Sequence, residues 1–193
     1  MTEALQSFDL ALLGWLTPIH TPWLDRAMAW ISAGSGAGSI WLALGVFGLT
    51  VRRHRAAAWR VFLTIVLGYA MVDAIVKPLV ARERPVSIIA TDPPRDLPPL
   101  PRTFSFPSGH AASTFGAAVA VSRMWPRTRV LWWALSVLVG YSRIYLGHHY
   151  PLDVVGGAIL GIAIAFWVLG GRHRATDART LPYPLPPGVI VRP

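Results

Sequence analysis

The chain has 193 residues, 53% of them hydrophobic and only 14% charged, with a mean hydropathy of +0.46. Soluble domains are typically about 45–50% apolar and about 25% charged, so an ordinary water-soluble globule is excluded and the surplus apolar surface must face lipid. The net charge of +9 does not signal a nucleic-acid partner, because the arginines form short clusters between long apolar runs rather than one patch. The absence of cysteine excludes disulfides and thiolate metal sites.

The length suits one domain, and no basic n-region of a signal peptide precedes Arg26, the first Lys or Arg. Residues 1–35 carry a short helical stripe, Leu5, Phe8, Leu12 and Leu16. A second helix is predicted to start at Thr21-Pro22, a capping hydroxyl followed by proline at the first helical position, with Asp25 and Arg26 in its first turn. Both are expected to lie on the outer membrane surface as interfacial helices. The competing reading makes 22–35 a span, and in either case the Gly/Ser run from Gly34 to Ser39 serves as a hinge.

Apolar stretches follow at about 36–51, 56–79, 108–124, 128–146 and 151–170. A membrane span needs ~20 predominantly apolar residues, ~17 at the short end, and five crossings are expected, six on the competing reading. Arg52, Arg53, Arg55 and Arg60 separate the first two stretches, Arg123, Arg127 and Arg129 join the third and fourth, and Arg172, Arg174 and Arg179 follow the last. Five single crossings put all three clusters on one side, which the positive-inside rule makes cytoplasmic. The expected fold is therefore all-α, a polytopic transmembrane helical bundle in the inner (cell) membrane. It comprises N-terminal interfacial helices (1–35), a core (36–172) and a cytoplasmic proline-rich tail (173–193). The segment 86–107, with Asp92-Pro93-Pro94, Pro98-Pro99 and Pro101, reads as a stiff, irregular external loop.

Ionisable residues beside apolar runs are costly and usually functional. Lys77, the one lysine among 18 Lys and Arg residues, ends the 56–79 stretch, and Arg84 lies seven residues on. Pro78 and Pro85 oppose a straight helix between them, yet the two cations emerge close together. Snorkelling of Lys77 to the headgroups is the simpler alternative. Asp73 is placed to pair with Lys77 at i,i+4 and to face the bundle. Phe106-Pro107-Ser108-Gly109-His110 opens the 108–124 stretch. Ser108 is placed as an N-cap, Gly109 lets an anion approach free backbone N–H groups, and His110 adds a proton donor. An ordinary capped helix with an interfacial histidine would look the same.

Ser142-Arg143, His149 and Asp153 form the third group. Pro151 stands at a first helical position, so His149 precedes the helix and Asp153 sits in its first turn, able to hold one imidazole nitrogen. A histidine beside a carboxylate and an arginine is the composition of an activated nucleophile with an anion clamp. An interfacial aromatic belt explains Tyr145 and Tyr150 but not Arg143 or Asp153. All three groups fall on the side opposite the arginine clusters.

At these residues the chain resembles the type-2 phosphatidic acid phosphatase superfamily, whose signature is K-x6-RP, PSGH and SR-x5-H-x3-D. Here it reads Lys77 to Arg84-Pro85, Pro107-Ser108-Gly109-His110, and Ser142-Arg143 to His149 and Asp153. The resemblance covers 77–153 by motif and about 36–170 by span pattern. It implies that His149 attacks phosphorus to form a phosphohistidine and that Asp153 orients it. His110 would protonate the leaving alkoxide and later help activate water. Lys77, Arg84, Arg143, Ser108 and the amide of Gly109 would hold the phosphate. His148 is expected to be a bystander, facing solvent. Three cations and a helix end can stand in for a metal in phosphoryl transfer, so no metal and no cofactor is expected. The implied substrate is a lipid phosphate or diphosphate: phosphatidate, phosphatidylglycerol phosphate or a polyprenyl phosphate or diphosphate. The expected partners are that substrate and membrane lipids, with no nucleic acid. The alternatives are a lipid phosphotransferase using the same intermediate and a non-enzymatic membrane transporter or scaffold. Vanadate-dependent haloperoxidases share the signature but resemble soluble proteins, which this chain does not.

Overall fold

A computed structural model describes residues 3–17, 19–85 and 103–170. The described residues contain helices and turns and no strand: α1 (Glu3–Leu16), α2 (Pro22–Gly34), α3 (Ser39–Thr50), α4 (Arg55–Ala70), α5 (Gly109–Met124), α6 (Arg129–Tyr145) and α7 (Pro151–Gly170). Past Ala70, α4 widens into a π-helical stretch, Met71–Val76, and closes with a last turn, Lys77–Val80. Most of the proline-rich segment and the C-terminal tail lie outside the described residues.

The helix that everything packs around is α5, which touches α3, α4, α6 and α7. Its sequence, GHAASTFGAAVAVSRM, is built of small residues, and twelve of its sixteen positions are buried. Small side chains let helix backbones approach closely, which in lipid replaces the hydrophobic drive for association. A Cβ added at Gly161 would lie 2.0 Å from the Ala112 carbonyl oxygen, and one at Gly157 would lie 2.3 Å from that of Ser108. These α7 glycines are thus packing surfaces, as their spacing suggests. A second layer of larger residues, Trp41, Val61, Ile65, Val121 and Met124, fills the space between α3, α4 and α5.

The helices coincide with the five apolar stretches, but by length and composition only two segments among the described residues suffice to cross a membrane, Arg52–Val80 and Pro151–Gly170. A third qualifies if α2 and α3, bent by 46° at the Gly/Ser hinge, form one broken span. The shortfall against five has a physical reason in α5, whose flanks are covered by other helices and need not be apolar. Large apolar side chains such as Phe47, Trp59, Val66, Val137, Ile159 and Trp167 stand exposed on the outer helices, as expected of surfaces that meet lipid.

At the N-terminus, α2 does start at Pro22, with Thr21 in extended conformation, but the Thr21 hydroxyl makes no capping bond. The first turn is held instead by Asp25, which accepts from Tyr145 Oη at 2.6 Å and faces His20 Nδ1 at 3.1 Å. Met28 of α2 packs on Tyr145 and Leu146 of α6, and Leu13 of α1 joins Ala111, Ile144, Tyr150 and Val154. The N-terminal helices therefore dock on the ends of α5, α6 and α7 where the signature residues lie.

Gly161→Ala should lower thermal stability in detergent by about 1–3 kcal/mol or more, because the new methyl meets backbone that cannot yield. Gly14→Ala, with nothing within 4 Å of its Cβ, should be neutral or stabilise by roughly 0.5–1 kcal/mol through helix propensity. Equal melting temperatures for the two variants would contradict the close approach of α5 and α7.

Candidate active site

Four chain segments meet at one end of the bundle: the last turn of α4 with residues 81–85, the start of α5, the end of α6, and the turn leading into α7. After Val80 the chain reverses at Ala81, which takes φ +48° and donates its N–H to the Lys77 carbonyl at 2.8 Å. The helix therefore does not continue to Arg84. Lys77 and Arg84 converge through Thr103, whose hydroxyl accepts from Lys77 Nζ at 3.4 Å and from Arg84 Nη2 at 3.1 Å.

Lys77 is buried, and its ammonium donates to Asp73 Oδ1 at 2.6 Å, the i,i+4 pair that the spacing suggests. Asp73 does not face the bundle, however: its side chain is 49% exposed. Helical side chains lean toward the N-terminus, so the long lysine stem runs back to a carboxylate at the rim. Arg84 donates Nε to the Thr103 carbonyl (2.8 Å), Nη2 to that of Phe104 (3.2 Å) and Nη1 to that of His148 (2.6 Å). Its Nη1 also lies 3.3 Å from His149 Nε2. Burial draws this guanidinium below its ordinary pKa, against the pull of Asp153 and Asp73. Arg143, at the end of α6, is buried and donates through Nη1 to the Ser32 hydroxyl of α2.

The Arg143 carbonyl accepts both the His148 and His149 amides, at 3.1 and 3.2 Å. Gly147, at φ +65°, supplies the left-handed residue that this helix ending needs. That geometry turns both histidines inward. His149 is buried as expected. His148 is buried too, at 3% exposure, which corrects the expectation that it faces solvent. Ser108 caps α5, accepting from the Ala111 amide at 3.4 Å. Its own amide donates to the Asp153 carbonyl at 2.9 Å, tying the start of α5 to the start of α7. Gly109 sits where a Cβ would come within 3.2 Å of the Tyr69 ring. His110 follows it, within electrostatic range of Arg143, His149, His148 and Lys77.

Asp153 is fully buried. Its Oδ2 accepts from the Tyr150 amide at 2.9 Å and from the Ser105 hydroxyl, and faces His149 Nδ1 at 3.6 Å. Its Oδ1 accepts from Arg82 Nη1 at 2.5 Å. Arg82 in turn pairs with Asp9 of α1. Sequence reasoning passed over Arg82, Asp9, Ser105, Thr103 and Ser32. A signal existed for Asp9, a carboxylate in an apolar stripe, but none for the three hydroxyls. Among the described residues no group of three His, Cys, Asp or Glu side chains is arranged to hold a metal ion.

Lys77, Arg84, Ser108, Gly109, His110, Arg143, His149 and Asp153 thus share one largely buried, cation-rich cluster with a histidine between a carboxylate and an arginine. Comparison with known proteins identifies the family. The PAP2 superfamily model matches residues 36–177. The lipid A 4'-phosphatase of Bacteroides thetaiotaomicron is 33% identical over 83% of this chain and 75% of its own. The decaprenylphosphoryl-5-phosphoribose phosphatase of Mycobacterium tuberculosis is 36% identical over 70% of this chain and 75% of its own. The crystal structure of a transmembrane PAP2 type phosphatidylglycerolphosphate phosphatase from Bacillus subtilis superimposes with a TM-score of 0.68. It is 26% identical, covering 88% of this chain and 86% of that one. The chain belongs to the PAP2 superfamily and is a membrane-integral phosphatase.

Burial and the nearby arginines lower the His149 pKa to about 4, Asp153 opposing them, and the same causes lower that of His148 to about 3. Both rings are neutral at pH 7 when folded, whereas an unfolded histidine titrates near 6.5. Their contribution to stability is complete above pH 6.5 and is lost as the pH falls through about 4. His148→Ala should therefore lose less stability than wild type between pH 7 and pH 4 in detergent melts. Parallel profiles would show that His148 is not a buried neutral ring.

Proposed function

We propose that the chain hydrolyses the phosphate monoester or diphosphate of a membrane lipid through a phosphohistidine on His149, without a metal. The observation that carries this reading is the setting of the His149 ring. Its Nδ1 faces Asp153 at 3.6 Å and its Nε2 accepts from the Arg84 guanidinium at 3.3 Å, so the lone pair that would attack lies on the nitrogen pointing to the cations. A buried imidazole held neutral keeps its lone pair near pH 7.

In the first step His149 Nε2 forms a bond to phosphorus while the bond to the lipid oxygen breaks, its electron pair leaving on that oxygen. His110, protonated once the phosphate anion is bound beside it, gives its proton to that oxygen and is left neutral, releasing the lipid alcohol from a monoester or the lipid monophosphate from a diphosphate. In the second step water attacks phosphorus, gives its proton to His110, and the P–N bond breaks, returning its pair to Nε2 and releasing inorganic phosphate. Lys77, Arg84 and Arg143 stabilise the charge on the phosphoryl oxygens, and the Ser108-capped start of α5 adds its amides and dipole. Fixed cations at hydrogen-bonded positions need no reorganisation as charge develops, which is the main requirement of phosphoryl transfer.

Lipid as the substrate is supported by the location of the site at one end of a membrane bundle, and by relatives named for lipid A and decaprenylphosphoryl substrates. An extracytoplasmic site with a cytoplasmic C-terminus is supported by the arginines. The Arg52–Arg60 and Arg123–Arg129 clusters occupy the opposite end of the helices, where His54 and Phe47 meet Trp125 with ring centroids 5.6 and 5.9 Å apart. The positive-inside rule puts that end in the cytoplasm.

His149→Ala should abolish phosphate release, whereas His148→Ala should keep most of it, since Arg84 uses only the backbone carbonyl of His148, which alanine retains. The measurement is phosphate release from a panel of phosphatidate, phosphatidylglycerol phosphate, and polyprenyl phosphate and diphosphate in metal-chelating buffer. Loss of activity on chelation, or the reverse ranking of the two variants, would overturn the mechanism.

A further inference from the structure

The carboxylate behind His149 is not held by its own neighbourhood alone. Arg82 lies between two buried carboxylates: its Nη1 donates to Asp153 Oδ1 at 2.5 Å and its Nη2 pairs with Asp9 Oδ2 at 2.7 Å. All three side chains are sealed from solvent, at 4% exposure for Arg82 and 0% for both aspartates. The guanidinium carbon also lies 3.8 Å above the centre of the Tyr150 ring. Asp9 uses its other oxygen to accept the Leu152 amide at 3.0 Å. Asp9 comes from α1, 144 positions before Asp153 (153 − 9), and Arg82 lies inside the spacer of the K-x6-RP signature.

We propose that α1 belongs to the catalytic apparatus, with Asp9 and Arg82 acting as positioning residues that set the plane and the charge of Asp153. The inference rests on His149 being the nucleophile. Asp153 has one oxygen for Arg82 and one shared by Ser105, the Tyr150 amide and the His149 ring. Arg82 therefore fixes how the second oxygen addresses the imidazole. The charge count sharpens this. Arg82 and Asp153 alone would form a neutral pair with little field left for His149. Burial raises the Asp9 pKa while the Leu152 amide and Arg82 oppose the rise; with Asp9 ionised, the three side chains carry a net charge of −1 and the positive charge of Arg82 is divided between two acids. Asp153 then retains charge to oppose the cationic ring that develops as Nε2 binds phosphorus. Purely structural stapling would not require a second acid: a buried pair with completed hydrogen bonds would do, and a buried ion pair is in itself a weak stabiliser.

The test uses the full-length protein in detergent or nanodiscs. It measures steady-state phosphate release, inhibition by inorganic phosphate, and melting temperature for Asp9→Asn, Arg82→Lys, Arg82→Met and the double variant Asp9→Asn/Arg82→Met. Asp9→Asn should lower kcat about tenfold, the loss typical when a group supporting a functional imidazole is removed, with KM and phosphate inhibition within about twofold. Arg82→Met should cost more, because it leaves two like charges buried together, and Arg82→Lys should recover part of the loss. The double variant should turn over faster than Arg82→Met, since removing the Asp9 charge relieves Asp153. Wild-type kcat in a folded Asp9→Asn or Arg82→Met protein would overturn the inference, as would losses of kcat that track melting temperature with no recovery in the lysine and double variants. Should Asp9→Asn fail to fold, Arg82→Lys decides: wild-type kcat there also overturns it. Activity in His149→Ala or Asp153→Asn would instead overturn the underlying mechanism, so the two failures are told apart.

Discussion

Taking the Asp153 carboxylate out of water costs several kcal/mol unless donors and a cation replace its lost hydration, and one end of the bundle is arranged around meeting that cost. Oδ1 is met by Arg82 and Oδ2 by Ser105 and the Tyr150 amide, while the backbone carbonyl of the same residue receives the Ser108 amide. One residue at the start of α7 thus binds the segment after α4, the approach to α5 and, through Arg82, the helix α1. Because these partners also surround His149, the packing of that end and the geometry of the site are a single problem with a single solution.

The small residues of α5 and α7 make that solution reachable. Ser108 can donate to the Asp153 carbonyl only if the two helix starts are nearly in contact, and Gly157, a turn into α7, leaves room for the Ser108 carbonyl where any side chain would collide. Gly161 repeats the device one turn on against Ala112. The packing of the membrane core therefore determines whether the Ser108-capped start of α5 sits beside the histidine.

What could be read from the sequence follows from which interactions leave a local trace. The helix start at Pro151, the Ser108 cap and the Lys77–Asp73 pair are all set by neighbours within four residues, and each appears where spacing put it. The contacts of Arg143 with Ser32 and of Asp153 with Arg82 span 111 and 71 positions, and no periodicity encodes them. Asp9 falls between these cases. A lone carboxylate in the stripe of Leu5, Phe8, Leu12 and Leu16 is as costly as Lys77 at the end of an apolar run, and the same reasoning applied to it points to a buried partner. The inward turn of His148 escaped for a different reason: the left-handed Gly147 reverses the chain, so adjacent residues do not take opposite faces.

The arginines of the site show why residue type alone does not assign a role. Arg82 is clasped by two buried carboxylates, Asp153 and Asp9. Arg84 is placed by donation to the carbonyls of Thr103, Phe104 and His148, and Arg143 by donation to the Ser32 hydroxyl. Two residues apart in sequence, Arg82 and Arg84 thereby take different partners: Arg82 pairs with the carboxylates of Asp153 and Asp9, while Arg84 donates to the backbone carbonyl of His148 beside His149.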